Sequence, residues 1–216
     1  MRTSKRWRLA QYFEIRWWKN YLKHKDIDSY LTWKKNYWID FLAKIDDYAK
    51  PVATSKILDA GCGPAGIFIA LQNHDVTAID PLLNRYDKEL DHFDQQSYPL
   101  TKFHNVSLED FEQPDSFDLV FCLNAINHVS DLGLAFERLH KSTKKGGILV
   151  VSIDAHNHTL LKHLFRLQPA DILHPHQYDL KEYEQMLTKL NCTMLKTVLI
   201  KREILFNHYV LVARKN

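Results

Sequence analysis

Glycine and proline are scarce in this chain of 216 residues: six glycines and seven prolines, and not one of either in the first fifty positions. A stretch of that length without helix breakers is expected to be helical. Cysteine is scarcer still. Cys62, Cys122 and Cys192 lie far apart, which excludes a disulfide framework and any zinc-type spacing, and two of them fall in apolar segments. That usage reads as a reducing, cytoplasmic compartment. No apolar run is long enough to span a bilayer, and Met1 to Arg8 is basic without the apolar stretch of a secretory signal, so a soluble chain is expected. Nor is there a strong excess of either charge. Lys plus Arg number 29 against 26 Asp plus Glu, a formal +3 that argues neither for nor against an anionic partner. With 45% hydrophobic residues the chain can bury one full-sized core, organised as residues 1–50 followed by a domain over 51–216.

Aromatic side chains are what the first fifty residues do have, including all five tryptophans. Between Asp28, a candidate N-cap, and Pro51, the residues Tyr30, Trp33, Tyr37, Trp38, Phe41, Leu42 and Ile45 recur at three- and four-residue intervals. This aromatic face is expected to pack as ordinary core for most of its rings. Upstream, Arg2, Lys5, Arg6, Arg8, Arg16, Lys19, Lys23 and Lys25 interleave with Trp7, Tyr12, Phe13, Trp17, Trp18 and Tyr21. A solvated basic face is the expectation there, and a nucleic-acid or anionic-membrane surface the alternative.

The chain is organised around Lys56 to Gly66, which reads as the end of a buried strand (Ile57, Leu58), a tight turn, and the first turns of a helix (Ile67 to Leu71). Gly61, Gly63 and Gly66 satisfy G-x-G-x-x-G, whose glycines permit a tight turn and close approach of backbone to ligand. Asp59 changes what that pattern means. A carboxylate at the strand's carboxyl end would repel a pyrophosphate resting on the helix N-terminus and favour a cationic ligand, such as a sulfonium with a free ammonium group. About twenty residues beyond Gly61, Asp80 closes a second apolar run, Val76 to Ile79, where an acidic side chain can accept both hydroxyl hydrogens of a ribose. Together they imply a ligand that contains a nucleoside and no phosphate.

Asp59-Ala60-Gly61-Cys62-Gly63, then Asp80, then Phe117-Asp118-Leu119-Val120, then Lys145-Gly146-Gly147-Ile148-Leu149 stand in the order and spacing of four motifs. The chain thereby resembles the class I S-adenosylmethionine-dependent methyltransferases over roughly residues 50 to 155. The resemblance implies an α/β, Rossmann-like three-layer sandwich. Its sheet would be seven-stranded and mostly parallel, with an antiparallel C-terminal hairpin and an N-terminal helical extension folding over the cofactor as a lid. It implies a cofactor site at Asp59, Ala60, Gly61, Cys62, Gly63, Asp80, Pro81, Ser107, Leu108 and Asn124. The lid would bring Trp33 and Tyr37 to the acceptor. Where the family often carries an acidic residue for the adenine amino group, this chain has Val106. Adenine recognition is left to backbone around Ser107 and Leu108, or to Glu109 or Asp110.

Around these motifs, strands and helices alternate: helix near Gly66 to Asn73, strand near Asp75 to Ile79, helix near Pro81 to Phe93, strand near Lys102 to His104, strand from Phe117 to Leu123. The last ends at Asn124-Ala125-Ile126-Asn127-His128-Val129, which in the family passes under the methionine portion and faces the acceptor. The Asn/Asp-Pro-Pro-aromatic box of base-amine methyltransferases is missing, which weighs against a nucleic-acid amine as acceptor. His128 has the chemistry of a general base, or serves as a structural histidine. Asp131 is expected to cap a helix, and Gly146-Gly147 to turn the chain into a strand, Ile148 to Ile153. From Asp154 a loop is expected, whose His156, His158, His163, His174 and His176 have no diagnostic metal spacing, so no metal is expected. By the resemblance, His174 and His176 are candidates for acceptor contact. Asp179 and Glu182 form a capping-box pattern before a helix, and Met194 to Lys201 with His208 to Arg214 make the closing hairpin. The expectation is methyl transfer to a small molecule. Alternatives are a nucleic-acid or protein methyltransferase, a non-catalytic cofactor-binding subunit, and a nicotinamide oxidoreductase. Oligomeric state is not legible.

Overall fold

The computed structural model describes residues 5–157 and 178–216; His158, His163, His174 and His176 lie outside them. Seven strands form one sheet: β1 (Lys56–Ala60), β2 (Asp75–Ile79), β3 (Thr101–His104), β4 (Phe117–Cys122), β5 (Thr143–His156), β6 (Cys192–Arg202) and β7 (Phe206–Lys215). Their order is β3-β2-β1-β4-β5-β7-β6. Strands β1 to β5 run parallel, and β7 inserts antiparallel between β5 and β6, as the closing hairpin requires. The order reverses between β1 and β4. Two crossovers leave in opposite directions there, opening a crevice at the carboxyl ends of the strands.

Side-chain alternation along the strands splits the core between the two faces. On one face Ile57, Val76, Leu119, Phe121, Val150 and Val212 pack with the buried residues of α1 (Lys5–Leu22), α2 (Ile27–Ile45) and α3 (Leu83–Glu89). On the other, Leu58, Val120, Leu149, Val151 and Leu211 meet α4 (Leu132–Ser142) and α5 (Leu180–Lys189). The N-terminal helices therefore share the core of the first face. Ile15 and Leu22 of α1 and Tyr30, Trp38, Phe41 and Ile45 of α2 are buried, and the Trp38 indole N–H donates to the Ala65 carbonyl at 3.0 Å. Lys19 pairs with Glu89 at 2.7 Å and so ties α1 to α3 rather than serving a free basic face. Among the described residues no helix is long and apolar enough to cross a membrane.

Several local expectations need correction. The N-cap of α2 is Asp26, which accepts the Ser29 N–H at 2.9 Å, so Asp28 falls in the first turn. After the glycine turn there is no α-helix over Gly66 to Asn73 but two short 3-10 turns, Gly63–Ala65 and Ile67–Ala70. They are split by the extended backbone of Gly66 (φ −74, ψ −175), and Asp59 Oδ2 accepts the Phe68 N–H at 3.1 Å. The Asp59 carboxylate thus satisfies one of the first-turn donors that a helix cannot bond internally. Helix α3 starts two residues after Pro81 and stops at Glu89. Strand β5 begins at Thr143 and runs through the Gly146-Gly147 pair to His156, because a register shift between Phe117 and Leu119 on β4 absorbs the glycines as an irregularity. Asp154 and His156 are therefore strand residues, not loop. Asp131 does cap α4, accepting the Leu134 N–H at 3.0 Å, and Asp179 and Glu182 do form the capping box of α5.

Gly61 (φ 71) and Gly146 (φ 78) are both left-handed, but their surroundings differ. A Cβ on Gly61 would lie 2.3 Å from the Ala125 Cβ, whereas one on Gly146 would meet nothing within 4 Å. Gly146→Ala should cost only the left-handed backbone, roughly 1–2 kcal/mol. Gly61→Ala should cost clearly more, since Ala125 must also move. Urea denaturation midpoints of the two variants compare them, and equal shifts would contradict the contact.

Candidate functional site

A cavity of about 540 Å³ lies at the carboxyl edge of the sheet where the strand order reverses. Its floor comes from the ends of β1, β2 and β4, and α1 and α2 roof it. Such a volume suits a nucleoside-sized ligand with room beside it. Gly63 lies under the roof: a Cβ built on it would be 3.8 Å from Trp18 Cζ2 of α1.

Asp80 follows directly on β2 and is 6% exposed. Gly63 N–H donates to its Oδ2 at 3.0 Å and Leu82 N–H to its Oδ1 at 2.8 Å, so the carboxylate is held in one orientation by the turn on one side and its own chain on the other. Burial, and then the charge of Glu14 on α1, push it up to about 7. Glu14 Oε1 in turn accepts the Tyr86 hydroxyl at 3.0 Å. Asp59, 2% exposed, is braced by Phe68 and is pushed up to about 7 by burial, against the pull of backbone N–H groups and of Lys34. It is thus a buried, backbone-bonded group facing a cation, not a bare charge at the lip of the strand. Gly66 accommodates it, since a Cβ there would lie 2.4 Å from Asp59 Oδ2. Between the two acids, burial first and their charges next push the Cys62 thiol well up, which leaves it inert at neutral pH.

On the opposite wall Asn124 sits in the left-handed region (φ 56), its backbone N–H donating to Ser152 Oγ at 2.6 Å. Such a conformation in a non-glycine residue stores strain and is common where backbone is shaped for a ligand. His128 lines the cavity. Asn127 turns the other way, into a chain of bonds that begins buried, where Tyr183 O–H donates to Asn127 Oδ1 at 3.1 Å, and continues half-buried, where Asn127 Nδ2 donates to Asp154 Oδ2 at 3.0 Å. Asp154 Oδ1 meets His208 Nδ1 at 2.8 Å.

The structure brings together Asp59, Gly61, Cys62, Gly63, Asp80, Pro81, Ser107, Leu108, Asn124 and His128 on one cavity wall or another. Ala60 is buried in β1 beneath them. Glu109 also reaches the cavity, but its Oε1 accepts the Ser130 N–H at 2.6 Å, and Asp110 is bonded to the Ser107 hydroxyl. Trp33 and Tyr37 do not line the cavity, and Trp33 is 52% exposed; the α2 residues that do are Tyr30, Lys34 and Trp38. His174 and His176 fall outside the described residues. Sequence reasoning passed over Glu14 and Lys34, and named Trp18 only among the aromatics of the basic stretch. Lys34 carried a usable signal: it lies four residues after Tyr30 and four before Trp38, a charge within an otherwise aromatic face. Among the described residues there is no group of three or more His, Cys, Asp and Glu side chains suited to a metal ion.

Among curated relatives, the ubiquinone biosynthesis O-methyltransferase of Pseudomonas syringae pv. tomato is 31% identical over 141 residues, 61% of this chain and 55% of that protein. The protein of the same name from Rickettsia bellii is 29% identical over 113 residues, 51% and 47% of the two chains. The chain thus spans about half the length of the curated relatives it matches. Among solved structures, the Burkholderia thailandensis 1,6-didemethyltoxoflavin-N1-methyltransferase, determined with 1,6-didemethyltoxoflavin and S-adenosylhomocysteine bound, superposes with a TM-score of 0.60 at 14% identity. That alignment covers all of this chain and 92% of that one, a likeness of fold. The family model described as "Methyltransferase domain" matches residues 30–197, from α2 into β6, and the chain belongs to this methyltransferase family.

Proposed function

We propose that the protein transfers a methyl group from S-adenosylmethionine to a hydroxyl oxygen of a small, largely aromatic or apolar molecule. The observation that carries this reading is Asp80: a buried carboxylate with each oxygen bonded to a backbone N–H, presented to the cavity at the point of strand reversal. An acceptor pair fixed in this way suits a ribose diol. The residues present fit the cofactor. Asp80 would receive the ribose hydroxyls, the Gly61 to Gly63 backbone would lie along the nucleoside, Ser107 and Leu108 would border adenine, and Asn124 the methionyl arm. Oxygen as the acceptor atom rests on the O-methyltransferase names of the relatives and on His128 at the wall.

When bound, S-adenosylmethionine supplies an electrophilic methyl group, whose transfer breaks the sulfur–carbon bond, leaves the electron pair on sulfur and forms the carbon–oxygen bond. The chain's own work is mostly positioning. Phe13, Trp17, Trp18, Tyr21, Tyr30 and Trp38 line the cavity, Tyr30 and Trp38 as buried side chains, and their rings suit a flat apolar acceptor. His128 would take the proton that the acceptor hydroxyl gives up. Helices α1 and α2 act as the lid of the sheet domain, and the three buried free thiols suit a reducing, cytoplasmic setting.

Asp80→Asn removes the charge while keeping the shape, and calorimetry at pH 8 should show S-adenosylhomocysteine binding weakened by about tenfold or more. Unchanged affinity would refute the ribose assignment. The pH dependence has a definite sign. The folded, empty protein keeps a proton on Asp80 up to about pH 7 that the unfolded chain releases near its ordinary 3.8, so this group's contribution to stability declines as pH rises between those values. The diol needs the carboxylate, so affinity should instead rise across the approach to pH 7, by at most about tenfold per pH unit for one proton. Titrations at pH 5.5 to 8 read this slope, and Asp80→Asn should reduce it to what Asp59, also pushed up to about 7, contributes. His128→Ala should lower kcat by about a hundredfold or more while leaving S-adenosylhomocysteine affinity intact, once cofactor-dependent mass gain in a pool of phenols has identified an acceptor. An undiminished kcat would remove His128 as the base.

A further inference from the structure

The turn that carries His128 is pinned at both ends. Before it, Asn124 N–H is held by Ser152 Oγ of β5, and Ala125 sits so close to the glycine turn that a Cβ on Gly61 would lie 2.3 Å from its own. After it, Ser130 N–H donates to the Glu109 carboxylate at 2.6 Å. Between these points the His128 N–H donates to the Ala125 carbonyl at 2.9 Å and closes one 3-10 turn, Ile126–His128. Asn127 is the buried polar side chain of that turn, and both atoms of its amide are used. Its Oδ1 accepts the Tyr183 hydroxyl at 3.1 Å, and its Nδ2 donates to Asp154 Oδ2 at 3.0 Å. Tyr183 is fully buried on α5, its ring edge-on to Tyr178 at 5.7 Å and tilted against Phe136 at 6.4 Å, so the hydroxyl has a fixed direction. Burial pushes that hydroxyl up, and it remains a donor at neutral pH. Asp154 of β5 meets His208 Nδ1 of β7 at 2.8 Å.

We propose that Tyr183 and Asn127 are positioning residues for His128, holding the short turn so that the imidazole meets the acceptor hydroxyl. The inference rests on the reading of His128 as the base given above. Neighbouring residues of a 3-10 turn project about 120° apart, so a side chain fixed at Asn127 also fixes the direction in which His128 leaves the backbone. A base must stay within hydrogen-bond reach of the proton it takes, and a misplacement of about 1 Å can cost about a hundredfold in rate. A single turn closed by one backbone bond supplies little of that rigidity by itself. The rigid elements nearby are α5, β5 and β7, and Asn127 joins the turn to α5 directly and to β7 through Asp154 of β5. An amide suits this place because it accepts on one atom and donates on the other, between a phenol that donates and a carboxylate that accepts. Neither Tyr183 nor Asn127 lines the cavity, so neither touches a ligand in it.

The experiment is a double-mutant cycle in the full chain, using the phenol that cofactor-dependent mass gain identifies. Tyr183→Phe keeps the ring and its packing and removes one bond. It should lower kcat by about tenfold while KM and S-adenosylhomocysteine affinity stay within about twofold. Asn127→Leu, of similar volume, removes both bonds and should lower kcat further, toward the level of His128→Ala. In the His128→Ala background Tyr183→Phe should cost less than about twofold, because residues that act through one step do not add. A merely structural role would give the same loss in both backgrounds. Additive losses, or an unchanged kcat in Tyr183→Phe, would overturn the proposal. The ring is also read without an acceptor: in protein with ring-labelled histidine, the His128 NMR signal, assigned by its absence from His128→Ala, should shift or broaden in Tyr183→Phe. An unmoved signal would overturn the proposal as well. An undiminished kcat in His128→Ala would overturn the reading of His128 as the base and this inference with it, whereas additive losses beside a slow His128→Ala would overturn this inference alone.

Discussion

The bond from Gly63 N–H to Asp80 Oδ2 joins the two halves of the site. It ties the turn after β1 to the end of β2, and with Leu82 N–H on the other oxygen it keeps a charged group stationary inside the protein. A carboxylate with this little access to water holds its charge only as far as donors compensate for lost hydration. Two backbone donors offset part of that loss, and the group still titrates near neutrality. Two further donors, such as those of the proposed ribose diol, would complete the set that burial left unfinished.

The sheet and the N-terminal helices contribute different things to the cavity. The strands fix Asp59 and Asp80 on a framework of parallel ladders whose register is continuous from β3 to β4. The helices bring Glu14, Trp18 and Lys34 from a distance in sequence and hold them by packing: Ile15 and Leu22 under α1, Phe41 and Ile45 under α2, and the Trp38 indole on Ala65. Without them the floor would be an acidic crevice open to water. With them it gains Glu14, Lys34 and an aromatic wall.

What could be read from the sequence divides along the same line. Strand ends, the glycine turn and Asp80 were legible because each is a local pattern with a fixed spacing: an apolar run, a positive-φ glycine, an acid closing the next strand. The seven-stranded sheet and its antiparallel hairpin followed from the resemblance those patterns carry. Glu14 was not legible, because its place at the cavity depends on how two helices dock; Lys34 offered only its position within an aromatic face, and a lysine on a helix reads by default as solvated. The helix expected after Gly66 was misread for a related reason. Ile67 to Leu71 has helical spacing, but the buried Asp59 carboxylate bonds Phe68 N–H, and Gly66 is extended so as to leave room for that carboxylate. Strand β5 ran past both of its expected ends because a register irregularity lets the glycine pair remain in the ladder and because β7 pairs with it as far as His156.

The polar segment after β4 shows how neighbouring residues of similar character come to differ in role. Asn124, Asn127 and His128 all lie in the segment expected to pass under the methionine portion and face the acceptor, Asn124 as a cofactor residue and His128 as the candidate base. Asn124 is held left-handed by Ser152 at the end of the strand, and the chain then makes a single 3-10 turn over Ile126–His128. In so short a turn successive side chains point apart, so Asn127 and His128 cannot share a direction. Asn127 goes inward and is bonded on both sides of its amide by Tyr183 and Asp154, with Asp154 held further by His208. That buried chain links α5, β5 and β7 to the turn and fixes its rotation, which leaves His128 turned to the cavity. A reaction that asks the protein chiefly for alignment needs this kind of rigidity more than it needs many reactive groups. The polar residues buried behind the wall are therefore part of how the site is built, although none of them reaches it.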